Sequence, residues 1–284
     1  MISSIKINKV FALQDVEVEL EPFTIVTGPN ACGKTTFLRC LSSRAQLVPG
    51  GSVQWSAVEG QTQTRSMEGE GYLVQADYPR AEYLSLSSPA LRKGSNLGQS
   101  LDESGHGIGG VLARVRLERI DGPQVLADLL GQIIPDVINV GIEADRLQPF
   151  VEFAHIGKVS VDHLSEGTLF ALAIVAVLTQ PEPPEILLID DLDKGLHPAA
   201  FSELVRVLRA AQVANPKLQI VATTHSPYLI GCFEAEEVRV FARKEDGSAA
   251  CSKLTDHPDF EHWKDSLDPG EFWASVGEEW VLSK

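Results

Sequence analysis

The chain has 284 residues, 44% hydrophobic and 22% charged, close to globular averages; this excludes a fibrous or disordered protein and allows one large α/β domain with a small appendage. With 24 Lys and Arg against 39 Asp and Glu the net charge is −15, which argues against broad clamping onto phosphate backbones or anionic lipid. Four cysteines, Cys32, Cys40, Cys232 and Cys251, form no C-x-x-C pair and suit a reducing compartment.

The N-terminal MISSIKINKV has neither a basic nor an apolar signal region. Residues 1 to 27 alternate, with Ile5, Ile7, Val16, Val18 and Leu20 against Lys6, Asn8, Glu17 and Glu19, which predicts a hairpin feeding a strand Phe23 to Thr27. That strand enters Gly28 and then a helix near Lys34. Periodicity fades between about Val48 and Gly110, and the Gly- and Ser-rich Gly94 to Gly110 reads as a mobile loop, either a surface linker or a gating or partner loop. Two amphipathic helices are expected around Gly110 to Ile120 and Pro123 to Ile134. Arg114, Arg116 and Arg119 there form a solvated helix face or a phosphate or nucleic-acid contact.

A helix from Ser165 to Thr179 is apolar nearly all round and must be covered by protein. Its longest apolar run, Leu169 to Leu178, would rise about 1.5 Å per residue, half of a bilayer core, so no membrane span and a cytoplasmic setting are expected. The continuous apolar run Ile186 to Asp190 suits a central parallel strand. A helix from Ala199 to Ala211 and a strand from Leu218 to Thr224 follow. Strands alternating with helices imply a mainly parallel sheet wrapped on both faces.

GPNACGKT, Gly28 to Thr35, matches G-x-x-x-x-G-K-[ST] between a strand and a helix. Loop N–H groups from Gly28, Asn30, Ala31, Cys32 and Gly33 into Thr36 would surround phosphate, the glycines admitting a close backbone approach, while Pro29, which has no N–H, contributes loop shape. Lys34 supplies a point charge and Thr35 a hydroxyl for Mg²⁺. Cys32 lies where N–H dipoles lower a thiol pKa, so it is a reactive thiol or a tolerated small side chain. ILLIDD, Ile186 to Asp191, ends an apolar strand in two carboxylates: Asp190 placed for Mg²⁺ and Asp191 to polarise water. Ser165 in Leu164-Ser165-Glu166-Gly167-Thr168 is a natural helix cap, and TTHSP brings His225 to a strand end.

In this order the four elements resemble the ABC-type ATPase family: phosphate loop, LS-x-G signature, Walker B strand, switch histidine. PNACGKT, LSEGT, DDLDKGLHP (Asp190 to Pro198) and THSP look like its soluble RecF/SMC/OLD branch, which includes stand-alone bacterial ATPases of the AAA_21 type. The resemblance implies an α/β P-loop fold with an N-terminal antiparallel β subdomain and a helical insertion carrying the signature. It covers a head at 1–243, with the helical and signature region at about 92–180, and leaves 244–284 as an acidic extension. It further implies a head-to-tail homodimer around two ATP molecules with Mg²⁺, in which Ser165, Glu166 and Gly167 reach the nucleotide of the other subunit and His225 senses the terminal phosphate in cis. Gln75, in GYLVQADY, matches the family's metal- and water-contacting glutamine.

Two departures stand out. The family places Glu after the Walker B Asp, whereas Asp191 is one methylene shorter, which implies slow hydrolysis or long-lived ATP-bound dimers. Without heptads between Lys34 and Asp190 there is no coiled-coil arm, and the tail lacks a Toprim nuclease domain. The expected output is therefore delivered to a protein effector or to nucleic acid, in bacterial defence or DNA maintenance. A scaffold with little turnover and a transporter subunit are the rival readings. Residues 255 to 284 hold eight acids, two lysines and Trp263, Trp273 and Trp280, a composition for packing on the chain's own head or on a partner.

Overall fold

The computed structural model describes residues 1–42, 46–47, 51–57, 62–66, 71–72, 79–143 and 145–283. They form two compact units, one of Met1–Tyr83, Glu185–Leu192 and Lys217–Lys284, the other of Leu84–Pro184 and Asp193–Pro216. The chain opens with β1 (Ile2–Val10), β2 (Leu13–Glu19), β3 (Phe23–Thr27) and α1 (Lys34–Leu41), then β4 (Gln46–Leu47), β5 (Ser52–Ala57), β6 (Thr62–Ser66), β7 (Gly71–Tyr72) and β8 (Ala81–Leu84). Helices α2 (Ser88–Leu91), α3 (Ile108–Glu118) and α4 (Gly122–Ile133) lead to β9 (Val137–Glu143), β10 (Gln148–Phe153), β11 (Gly157–Ser160) and α5 (Glu166–Thr179). Next come β12 (Ile186–Ile189), α6 (Phe201–Ala214), β13 (Gln219–Thr223) and α7 (Pro227–Ile230), then β14 (Val238–Arg243), β15 (Ala249–Lys253), α8 (Phe260–Trp263) and α9 (Pro269–Val276).

The first unit is built on a six-stranded sheet of order β15-β14-β3-β13-β12-β8. Strands β14, β3, β13 and β12 run parallel, and β15 is antiparallel to β14. Because both faces are covered, FTIVT, ILLI and QIVAT are buried along their whole length and show no alternation. The predicted hairpin is β1 and β2, which join β5 and β6 in an antiparallel sheet of order β2-β1-β5-β6. Its inward Ile5, Ile7, Val16 and Val18 share one core with Phe37, Leu38 and Leu41 of α1 and with Phe241 of β14. Gln219 joins the two sheets. Its amide accepts from Ile2 N at 2.9 Å and donates to Ile2 O at 2.8 Å, across 217 residues of sequence.

The second unit surrounds α5, which is buried almost end to end, as its apolar sequence requires. Arg114 Nη2 donates to Gln180 Oε1 at 3.1 Å, and Arg119 Nη1 to Thr179 O at 3.0 Å. Arg119 therefore satisfies a terminal carbonyl of α5 and Arg114 holds the side chain of its cap residue, leaving only Arg116 as a solvated member of the trio. A three-stranded antiparallel sheet, β11-β10-β9, lies outside the predicted elements. The Gly94 to Gly110 segment is also packed rather than loose, and α3 begins inside it. Ser95 N donates to Arg146 O at 2.9 Å, and a Cβ at Gly109 would lie 1.6 Å from Leu147 O. Here glycine serves a close backbone approach, which composition alone does not distinguish from a linker.

The acidic tail packs within the first unit. Phe272 and Val281 are buried, and the His257 ring meets Phe272 and Trp280 edge-on at 5.2 and 5.1 Å. Among the described residues no helix is long and apolar enough to cross a membrane.

Candidate nucleotide site

Strand β3 delivers the chain into a loop with three left-handed backbone positions, Gly28 (φ 137°), Ala31 (φ 61°) and Gly33 (φ 99°). At Gly28 a Cβ would stand 2.2 Å from Phe241 O, so β14 sets the shape of the loop by backbone contact and only glycine fits. Helix α1 starts at Lys34 with Gly33 as its cap residue, and no side chain caps it. Its first N–H groups thus remain available at the positive end of the helix, an arrangement that suits a phosphate.

The Lys34 side chain is buried, and its ammonium donates to Gly28 O at 2.8 Å and Pro29 O at 2.9 Å. Burial pulls the Lys34 pKa below the usual lysine range, opposed by Cys32, Asp191 and Asp190. Beside it, burial pushes the Cys32 thiol up, with the Lys34 ammonium acting the other way. The loop dipoles do not activate this thiol; Cys32 is a small buried side chain that fills space under the loop.

Asp190 follows β12 and sits opposite α1. Its Oδ2 accepts from Thr35 Oγ1 at 2.9 Å and from Tyr83 OH at 3.3 Å, and its Oδ1 accepts from Thr223 Oγ1 at 2.7 Å. The Thr223 hydroxyl in turn accepts from Asp191 N at 2.9 Å, and Leu192 N donates to Thr223 O. Asp191 is exposed and left-handed, with φ 55°. His225 is exposed just beyond β13, between Thr224, whose N donates to Val26 O at 3.0 Å, and Ser226, which caps α7. Phe11 is 56% exposed with φ 50°. The two residues after it abut the phosphate loop: a Cβ at Gly33 would meet Leu13 Cδ2 at 3.0 Å and Ala12 Cβ at 3.7 Å. Tyr83 and Phe11 escaped sequence reasoning. Only an aromatic residue in the first hairpin turn hinted at Phe11.

The signature residues belong to the second unit. Ser165 caps α5, its Oγ accepting from Thr168 N at 3.1 Å, and it is exposed together with Glu166. Glu166 Oε1 accepts from Ser88 Oγ at 2.7 Å. Gly167 is buried; a Cβ there would lie 2.3 Å from Gly195 O, so the backbone at Gly195 rests directly on the signature backbone. Gln75 lies outside the described residues.

Thr35 and Asp190 offer hard oxygens within hydrogen-bond distance of each other, a donor set that fits Mg²⁺. Among the described residues no group of three or more His, Cys, Asp and Glu side chains is gathered for a metal. Such a spare protein set is the usual one for Mg²⁺, which takes its remaining ligands from water and phosphate.

A parallel strand entering a glycine loop, an uncapped helix behind it and a carboxylate at the tip of a parallel strand two places along the sheet define a P-loop NTPase fold. Within that class, residues 109–231 match the family model described as "AAA domain, putative AbiEii toxin, Type IV TA system". The Septu protein PtuA of Bacillus mycoides (strain KBAB4) is 32% identical over 120 residues, 39% of this chain and 16% of PtuA. The chain therefore matches only a small part of that relative. An SMC head with an extended coiled coil, bound to the C-terminal domain of ScpA and derived from Pyrococcus furiosus, superposes with a TM-score of 0.59 at 10% identity, covering 93% of this chain and 99% of that one. An SMC head bound to the C-terminal winged helix of ScpA gives 0.58 at 11% identity, covering 88% and 96%. The ADP form of an ABC-transporter ATP-binding cassette gives 0.50 at 12% identity, covering 94% and 100%. At these identities the likeness is one of fold.

Proposed function

We propose that the chain is an ATP-binding and ATP-hydrolysing switch: ATP closes a head-to-tail homodimer, hydrolysis reopens it, and the change passes to a protein effector or to nucleic acid. The observation that carries this reading is the Thr35–Asp190 hydrogen bond beside a loop whose lysine and helix N–H groups are placed for phosphate. The loop from Gly28 to Thr36 and the Lys34 ammonium bind the phosphates, while Thr35 and Asp190, with Gln75, hold Mg²⁺. The metal supplies charge neutralisation at the terminal phosphates. Phe11 offers its exposed face to the adenine. Asp191 orients and polarises the attacking water, and His225 senses the terminal phosphate. Ser165, Glu166 and Gly167 contact the nucleotide held by the second subunit.

The likeness to Septu PtuA supports a setting in bacterial defence. The exposed tryptophan of the acidic tail, Trp263, supports contact with a protein effector. A second reading, an ATP-dependent scaffold with slow turnover, is favoured by the short Asp191 carboxylate.

Light scattering after gel filtration tests the switch. Asp191→Asn with Mg-ATP is expected to elute as a dimer and with ADP as a monomer, and Lys34→Ala to stay monomeric in both. The ATPase rate of Asp191→Asn should fall on the order of a hundredfold or more if Asp191 polarises water. A monomer that still binds ATP would overturn the dimer, and an unchanged rate would remove Asp191 from its role.

A further inference from the structure

The tail meets the segment after His225 through a close backbone approach. Helix α7 has four residues and begins two residues after His225, too short to hold its own position. Gly270, in the first turn of α9, lies directly on it: a Cβ at Gly270 would stand 1.9 Å from Pro227 O and 2.8 Å from Gly231 N. Reciprocally, a Cβ at Gly231 would stand 2.9 Å from Asp268 Oδ1. Asp268 is itself occupied in capping α9, accepting from Glu271 N at 2.8 Å, while Glu271 Oε2 accepts from Asp268 N at 3.2 Å. Where Gly270 meets the Pro227 carbonyl there is no room for a side chain, so a shift of α7 is passed on to α9 at that point.

The other end of the tail is anchored near the phosphate loop. Phe272 is buried against the His257 and Phe260 rings, and the opposite contact of His257 is Trp280, whose Nε1 donates to Gly277 O at 3.0 Å. The final turn, residues Glu279–Ser283, packs on β14 and β15, and β14 is the strand whose Phe241 carbonyl abuts Gly28. Trp273 Nε1 is buried without a hydrogen-bond partner among the described residues, so the present tail position leaves a donor that a shifted tail can pair. The tail thus touches α7, just beyond His225, and β14, whose Phe241 carbonyl abuts Gly28 of the phosphate loop.

We propose that α9 is a positioning element for His225: through the Gly270–Pro227 contact it sets where the switch histidine stands, and displacement of that histidine by nucleotide moves the tail. The inference rests on the sensing role given to His225 above. It adds a task for the acidic extension that packing alone does not require.

The test uses the full chain labelled with 5-fluorotryptophan, its four ¹⁹F resonances assigned by single Trp→Phe variants, with ATP binding measured separately by equilibrium dialysis. Mg-ATP should shift the Trp273 and Trp280 resonances along the dialysis isotherm while exposed Trp263 stays put, and His225→Ala should bind ATP yet lose most of those shifts. In parallel, Gly270→Ala should lower kcat about fivefold to tenfold with dialysis affinity kept within about twofold, and should cost nothing further in a His225→Ala background. Shifts of full size in His225→Ala, no shifts at saturating ATP, or a Gly270→Ala effect that persists without His225 would each overturn the proposal. Failure of dialysis to detect ATP would instead refute the nucleotide site itself.

Discussion

Asp190 divides three hydroxyl donors between its oxygens, Thr35 and Tyr83 on Oδ2 and Thr223 on Oδ1. Thr223 also receives Asp191 N, so one threonine at the end of β13 orients both carboxylate residues of the strand tip. Tyr83 completes the cradle from the far edge of the sheet. Replacing it with Phe keeps the ring and removes one long hydrogen bond, at 3.3 Å, an ordinary loss of about 1 kcal/mol. Half-saturation by Mg²⁺ at fixed nucleotide should rise about fivefold in Tyr83→Phe, with nucleotide affinity in EDTA unchanged; an unmoved Mg²⁺ midpoint would show that the phenol does not support the metal site. The left-handed backbone at Asp191 gives a reason for the short acid: Asp tolerates that conformation better than longer side chains do. Asp190 and Asp191 were legible because an apolar strand ending in two acids is a local pattern. Tyr83 was not, since its contact with Asp190 joins residues 107 apart in sequence.

Among the elements, α5 shows most directly what a motif can and cannot reveal. Ser165 was readable as its cap, and the cap is present. That Gly167 must be glycine because Gly195 O crosses 2.3 Å from its missing Cβ follows only from the turn after β12. Gly167→Ala should therefore behave as an overpacking change of about 1–3 kcal/mol, lowering Tm by about 2–8 °C in a chain of this size. A thermal melt with Tm unchanged would mean that the backbone at Gly195 yields easily. The β9–β11 sheet stayed hidden for a different reason. Its strands are short and mostly half-buried, so the alternation of apolar and polar residues is weak. In the Gly94 to Gly110 segment, glycines used for tight packing carry the same letters as glycines in a flexible linker.

At the scale of the whole molecule, a net charge of −15 opposes DNA association. Fluorescence anisotropy with random-sequence duplex at physiological salt should give a Kd no tighter than about 10⁻⁴ M, the weak end of non-specific binding. A micromolar value would require a local basic surface and would revive nucleic acid as the direct target. The strand order has a separate consequence, for the way the protein is made. Strand β3, which carries the phosphate loop, pairs through Phe23 with Ile220 and through Ile25 with Val238. During synthesis it leaves the ribosome long before either neighbour exists, as an apolar segment with both edges unpaired. The nucleotide site can therefore form only once β13 and β14 have been made, and until then early packing of the N-terminal hairpin is what can shield that segment.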